Sequence, residues 1–160
     1  MEGMDPLAVL AESRLLPLLT VRGGEDLLGL ARVLEEEGVG ALEITLRTEK
    51  GLEALKALRK SGLLLGAGTV RSPKEAEAAL EAGAAFLVSP GLLEEVAALA
   101  QARGVPYLPG VLTPTEVERA FQGARVLKAY AEVFPEVRFL PTGGISPWGR
   151  TPTGPASATT

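Results

Sequence analysis

Short apolar runs alternate with longer amphipathic runs along most of the chain. Residues 15–21, Leu-Leu-Pro-Leu-Leu-Thr-Val, have the character of a buried strand, and residues 24–37 that of a helix stopped by Gly38. A second strand spans 41–47 and a second helix 49–60. Residues 63–70 form a third strand and its exit turn. Ser72-Pro73 opens the next helix with a capping hydroxyl, a proline at the first helical position and Glu75 three residues after Ser72. Gly83 ends it. A fourth strand spans 85–88, a helix 92–103 ends at Gly104, and a fifth strand covers 105–108. Residues 137–140, Val-Arg-Phe-Leu, make the sixth. Strands separated by helices of about 10–15 residues mean βαβ units and a parallel sheet.

The repeat is close to twenty residues, short for an open doubly wound sheet and suited to a compact barrel. No G-x-G-x-x-G follows the first strand, which argues against a dinucleotide fold. The expectation is an α/β, TIM-type (β/α) barrel that is incomplete, with about six parallel strands. A full barrel usually takes about 200–250 residues, and this chain has 160. One connection breaks the rhythm. In residues 115–131, Val117, Phe121, Ala124, Leu127 and Ala131 share one helical face and no strand intervenes. One long helix is expected where a regular barrel has helix, strand, helix. Residues 1–145 then form one barrel-like domain. Residues 146–160, rich in Pro, Gly, Ser and Thr, form a disordered tail.

Composition narrows the functional classes. Net charge is −4 with both signs interspersed, so nothing resembles a nucleic-acid footprint. The chain has no cysteine and no histidine, and Asp5 and Asp26 form no cluster. No disulfide framework and no metal-ligand set is therefore expected. The acidic start is unlike a signal peptide and no apolar run approaches membrane-spanning length, so a cytoplasmic location is the default. Asparagine is absent and glutamine is confined to Gln101 and Gln122. That composition fits a thermophile and equally a GC-rich genome.

The second strand carries the most chemistry. In Leu42-Glu43-Ile44-Thr45-Leu46-Arg47 the side chains alternate strictly, with Glu43, Thr45 and Arg47 on one face. In a barrel the apolar set meets the helices and the polar set points inward, where a carboxylate and a guanidinium must pair or serve a ligand. A sheet with one wet face would give the same pattern. The strand exits are built of small or turn residues: Gly66-Ala67-Gly68-Thr69, Ser89-Pro90-Gly91, Pro109-Gly110 and Pro141-Thr142-Gly143-Gly144. Barrel active sites lie at this carboxyl face. Glycines there allow backbone N–H groups to approach an anion, although each turn alone reads as ordinary turn chemistry.

These segments, with Val88-Ser89-Pro90-Gly91, Pro109-Gly110-Val111 and Phe139 to Ile145, resemble in order and spacing the 2-keto-3-deoxy-6-phosphogluconate / 4-hydroxy-2-oxoglutarate (KDPG/KHG) aldolase family. The resemblance implies a class I aldolase that cleaves such aldols to pyruvate and an aldehyde through a lysine Schiff base, with no metal and no cofactor. It makes Glu43 the acid/base and Arg47 a carboxylate clamp. Thr69 becomes a second carboxylate contact, Pro90 and Thr142 further substrate contacts, and Gly143 and Gly144 the border of a phosphate site. It also implies small-molecule partners, a 2-oxo acid or a sugar-acid phosphate, and a homotrimer.

One departure bears directly on activity. The family carries its Schiff-base lysine on the sixth strand in a Lys-Phe-Phe-Pro-Ala-Glu-like segment. Here Arg119-Ala120 passes straight into Phe121-Gln122-Gly123. The last strand of the family pattern is missing too. The lysines are Lys50, Lys56, Lys60, Lys74 and Lys128, all in helical segments and none at a strand exit. A Schiff-base amine needs a dry pocket or a neighbouring cation to lower its pKa, and lysines on solvated helix faces have neither. Two readings follow: an aldolase impaired by the absent lysine, or a non-catalytic barrel remnant that binds 2-oxo acids or packs with intact homologues.

Overall fold

A computed structural model describes residues 5–123 of the protein. The strand expected at 137–140, the exit Pro141-Thr142-Gly143-Gly144, the helix beyond Gly123, Lys128 and the tail 146–160 lie outside the described residues.

Helix α1 (Pro6–Ser13) precedes five strand–helix units. They are β1 (Leu18–Leu19) and α2 (Leu27–Glu36), β2 (Ala41–Thr45) and α3 (Lys50–Leu58), β3 (Leu64–Gly68) and α4 (Pro73–Ala82), β4 (Phe86–Ser89) and α5 (Glu94–Arg103), and β5 (Tyr107–Pro109) and α6 (Pro114–Gly123). All neighbouring strands pair in parallel, in the order β1-β2-β3-β4-β5. The register sets Glu43 beside both Leu18 and Gly66, Thr45 beside Gly68, and Gly66 beside Phe86. Sheet order equal to chain order is the barrel arrangement. Among the described residues the sheet runs open from β1 to β5.

Two apolar clusters hold the sheet. The larger lies between one sheet face and the helices. Leu42, Ile44, Leu65, Ala67 and Leu87 from the strands meet Ala54, Leu55 and Leu58 of α3 and the alanines of α4 and α5. Ala76, Ala79 and Ala82 at helical spacing are fully buried and let α4 approach the sheet closely. The smaller cluster, Val9, Leu10, Ala41, Leu64 and Phe86, lies on the opposite face. There α1 covers the first residues of β2 and β3 and closes the amino end of the inner face. The carboxyl end is left to the polar residues.

Local chemistry explains the element ends. The Ser72 hydroxyl accepts a hydrogen bond from the Glu75 amide at 3.2 Å, as its spacing requires. Gly83 and Gly104 close α4 and α5 in the left-handed region, where a side chain would be strained. Helix α1 is not evident in the apolar pattern. Its signal is Asp5-Pro6, the same cap and proline pair as Ser72-Pro73, and the Asp5 carboxylate accepts from the Leu7 amide at 3.1 Å. The first strand is shorter than its apolar run. Pro17 offers only its carbonyl, which accepts from the Glu43 amide at 2.9 Å. Pro106 likewise delays β5, and its carbonyl accepts from the Leu87 amide at 2.9 Å. No helix among the described residues is long and apolar enough to cross a membrane.

Candidate functional site

All five residues of β2 are buried, so neither face of this strand is wet. Leu42 and Ile44 pack in the helix-facing cluster. Glu43 and Thr45, offset by one residue, therefore occupy the inner face. The Thr45 and Thr20 hydroxyls share a hydrogen bond of 2.8 Å, and the Thr48 hydroxyl donates to the Val21 carbonyl at 2.6 Å. These two bonds tie the β2 exit to the segment after β1. The Leu46 amide donates to the Gly68 carbonyl at 2.8 Å and continues the ladder toward β3.

Glu43 is 7% exposed. Its side chain crosses toward β3 and lies against Gly68. Among the described residues, no hydrogen bond reaches its carboxylate. Burial pushes its pKa above the ordinary glutamate value, and the positive charge of Arg47 opposes that rise. Arg47 stands two residues past the end of β2 and is exposed.

Thr69 leaves β3 immediately after Gly68. It is half-buried and has φ of 60°, the left-handed region, which a β-branched residue rarely adopts. Its hydroxyl makes no hydrogen bond among the described residues. Pro90 is exposed at the exit of β4. Its backbone passes so close to Gly110 that a Cβ there would lie 2.9 Å from the Pro90 carbonyl carbon. The Gly110 amide donates to the Ser89 carbonyl at 2.9 Å, and the Ser89 hydroxyl donates to the Val70 carbonyl at 2.7 Å. The exits of β3, β4 and β5 are thereby joined.

Glu43, Arg47, Thr69 and Pro90 thus stand at the carboxyl end of three consecutive strands. Thr142, Gly143 and Gly144 lie outside the described residues. Gly66 and Gly68 have a different role from the anion approach expected of them. Both lie within β3 on its inner face, and each makes room for a neighbour's side chain: the Phe86 ring over Gly66 and Glu43 over Gly68. Two glycines at i and i+2 in a strand are the sequence signal for this missing wall.

The lysines stay where the helical pattern puts them. Lys50, Lys56, Lys60 and Lys74 are all exposed, on or just past helices of the outer layer. Lys50 pairs with Glu53 at 3.0 Å. Among the described residues, none reaches the inner face.

The sequence profile of KDPG and KHG aldolases matches residues 7–151, nearly the whole chain. The chain belongs to the KDPG/KHG aldolase family. The match passes Ile145, where the resemblance read from the motifs stops. The 2-dehydro-3-deoxy-phosphogluconate aldolase of Pseudomonas aeruginosa is 40% identical over 84% of this chain and 69% of its own length. A solved 4-hydroxy-2-oxoglutarate / 2-dehydro-3-deoxyphosphogluconate aldolase from TTHB1 is 89% identical, with a TM-score of 0.76 over 90% of this chain and 80% of that one. The KDPG aldolase of Legionella pneumophila, solved with pyruvate captured at low pH as a covalent carbinolamine, is 35% identical. Its TM-score is 0.71 over 89% of this chain and 77% of that one. The fold of this aldolase-family chain is therefore a TIM-type barrel, to which residues 5–123 contribute five strands. The Pseudomonas alignment takes 152 positions, whereas 84% of 160 residues is about 134. About 18 positions of that alignment have no residue here.

Proposed function

We propose that this chain keeps the 2-oxo-acid end of a KDPG/KHG aldolase site and is impaired in aldol cleavage because it lacks the Schiff-base lysine. Breaking the carbon–carbon bond beside a ketone leaves an electron pair on carbon. A lysine iminium accepts that pair far better than the free carbonyl, and no described lysine faces the site. What remains can hold and protonate. Glu43 is the acid/base, and a buried carboxyl with a raised pKa suits proton transfer near neutral pH. The forked guanidinium of Arg47 clamps the carboxylate of pyruvate or of the aldol. The free Thr69 hydroxyl is the second carboxylate contact and Pro90 lines the same mouth. Thr142, Gly143 and Gly144 complete the set on the phosphate side. The ligands are small-molecule 2-oxo acids and sugar-acid phosphates, and the assembly is the trimer of the family.

One observation carries this reading. A buried carboxylate with no hydrogen-bond donor among the described residues sits at the mouth of the sheet, while the four described lysines are exposed on helices. The alignment positions without a residue here support the loss of an internal segment. The test is incubation of the folded chain with pyruvate and borohydride, followed by intact mass and peptide mapping. No adduct is expected. A single stoichiometric adduct on any lysine, Lys128 included, would refute the impairment.

A further inference from the structure

Within β3, every residue is buried, yet positions 66 and 68 on its inner face carry no side chain. A Cβ at Gly68 would stand 2.9 Å from Glu43 Cγ and 2.7 Å from its Cδ, and closer still to Oε1. Real Cβ atoms do not approach other atoms so closely, and the atoms met here include the middle of the Glu43 side chain as well as its tip. A methyl group at this position therefore cannot coexist with the observed placement of Glu43. On the amino side, the fully buried Phe86 ring fills the space over Gly66, directly across from Glu43 in the register. Arg47 is the charged group that acts on Glu43. The inner-face neighbours Thr20, Thr45, Gly66, Gly68 and Phe86 carry no charge.

We propose that Gly68 is a positioning residue: its bare backbone is the seat on which the Glu43 carboxylate rests at the mouth of the sheet. The ring of Phe86 blocks the amino side, so a methyl at position 68 drives the carboxylate outward, toward solvent and away from β3. Gly68 touches no substrate. It acts through Glu43, and the proposal rests on the reading of Glu43 as the acid/base. Its test reads where the carboxylate sits and does not depend on turnover, so the two readings fail separately.

The experiment is a carboxyl titration by NMR on protein labelled with carbon-13 glutamate. The Glu43 signal is identified by its loss in Glu43→Gln. In Gly68→Ala the midpoint of Glu43 is expected to fall toward the ordinary glutamate value. Gly110→Ala, a comparable crowding at the β5 exit against Pro90, is expected to leave it in place. An unmoved midpoint in Gly68→Ala, or an equal movement in Gly110→Ala, overturns the proposal. Should Gly68→Ala not fold, urea unfolding of Gly68→Ala combined with Glu43→Asp decides. The side chain one methylene shorter is expected to restore stability lost in the single variant. A double variant no more stable than Gly68→Ala overturns the proposal as well.

Discussion

Thr69 holds a backbone conformation that glycine adopts freely and threonine resists. The left-handed region costs a side-chain-bearing residue about 1–2 kcal/mol, and such strain persists where the surroundings fix it, often at functional sites. Thr69→Gly removes that strain and adds about 0.5–1 kcal/mol of backbone entropy cost. The expected net effect is therefore a stabilisation of roughly 0–1.5 kcal/mol, whereas the same change in extended backbone would destabilise. Thr69→Ala keeps the Cβ and the strain, so it should gain nothing. Both variants lose the hydroxyl. A hydrogen bond to a charged group contributes about 1.5–3 kcal/mol, so pyruvate binding should weaken about 10–150-fold in each. Urea unfolding with an unchanged slope measures the first effect, and calorimetric titration with pyruvate the second. The reasoning fails if Thr69→Gly is destabilised by about 1 kcal/mol or more, or if both variants bind pyruvate as the parent does.

Two further variants probe the same mouth. Arg47 is exposed, so Arg47→Ala should leave stability within about 0.5 kcal/mol and weaken pyruvate at least about tenfold through the lost charged contacts; unchanged affinity would remove Arg47 from the site. Glu43 has a folded pKa above its unfolded value. The native state thus holds the proton more tightly, and this carboxyl lowers stability as pH rises from the unfolded to the folded midpoint. Glu43→Gln should match the parent below the ordinary glutamate range and exceed it above the folded midpoint, as read by urea unfolding across pH; an advantage that shrinks as pH rises would contradict the desolvated carboxylate.

The barrel character was legible because the βα period is strong and the caps at Ser72-Pro73, Gly83 and Gly104 are local chemistry. The inward direction of Glu43 and Thr45 followed from strict alternation in β2. Burial of the whole strand was not legible, since a half-wet sheet has the same pattern until neighbours are placed. Helix α1 escaped because eight residues give too little apolar periodicity, and only Asp5-Pro6 marks it. The first strand was overread because an apolar run does not register that Pro17 withholds a donor. The partnership of Gly68 with Glu43 spans 25 positions and depends on the pairing register, which no local pattern supplies. The left-handed Thr69 is likewise invisible in sequence, since threonine is not a residue that announces such a turn.

Because the sheet is laid down in chain order, every strand meets the strands nearest to it along the chain. Glu43 pairs with a residue 23 positions downstream and Gly66 with one 20 further on. Each pairing closes a short loop at modest entropic cost, which favours rapid zipping from any adjacent pair. Energetically the molecule approaches a row of nearest-neighbour couplings, as in repeat proteins. Removing a link beyond β5 forfeits that link's couplings and leaves the register of β1 to β4 untouched. A fold wired in this way sheds parts without scrambling the rest, so a pocket carried on β2 and β3 can outlive the strand that once supplied its nucleophile.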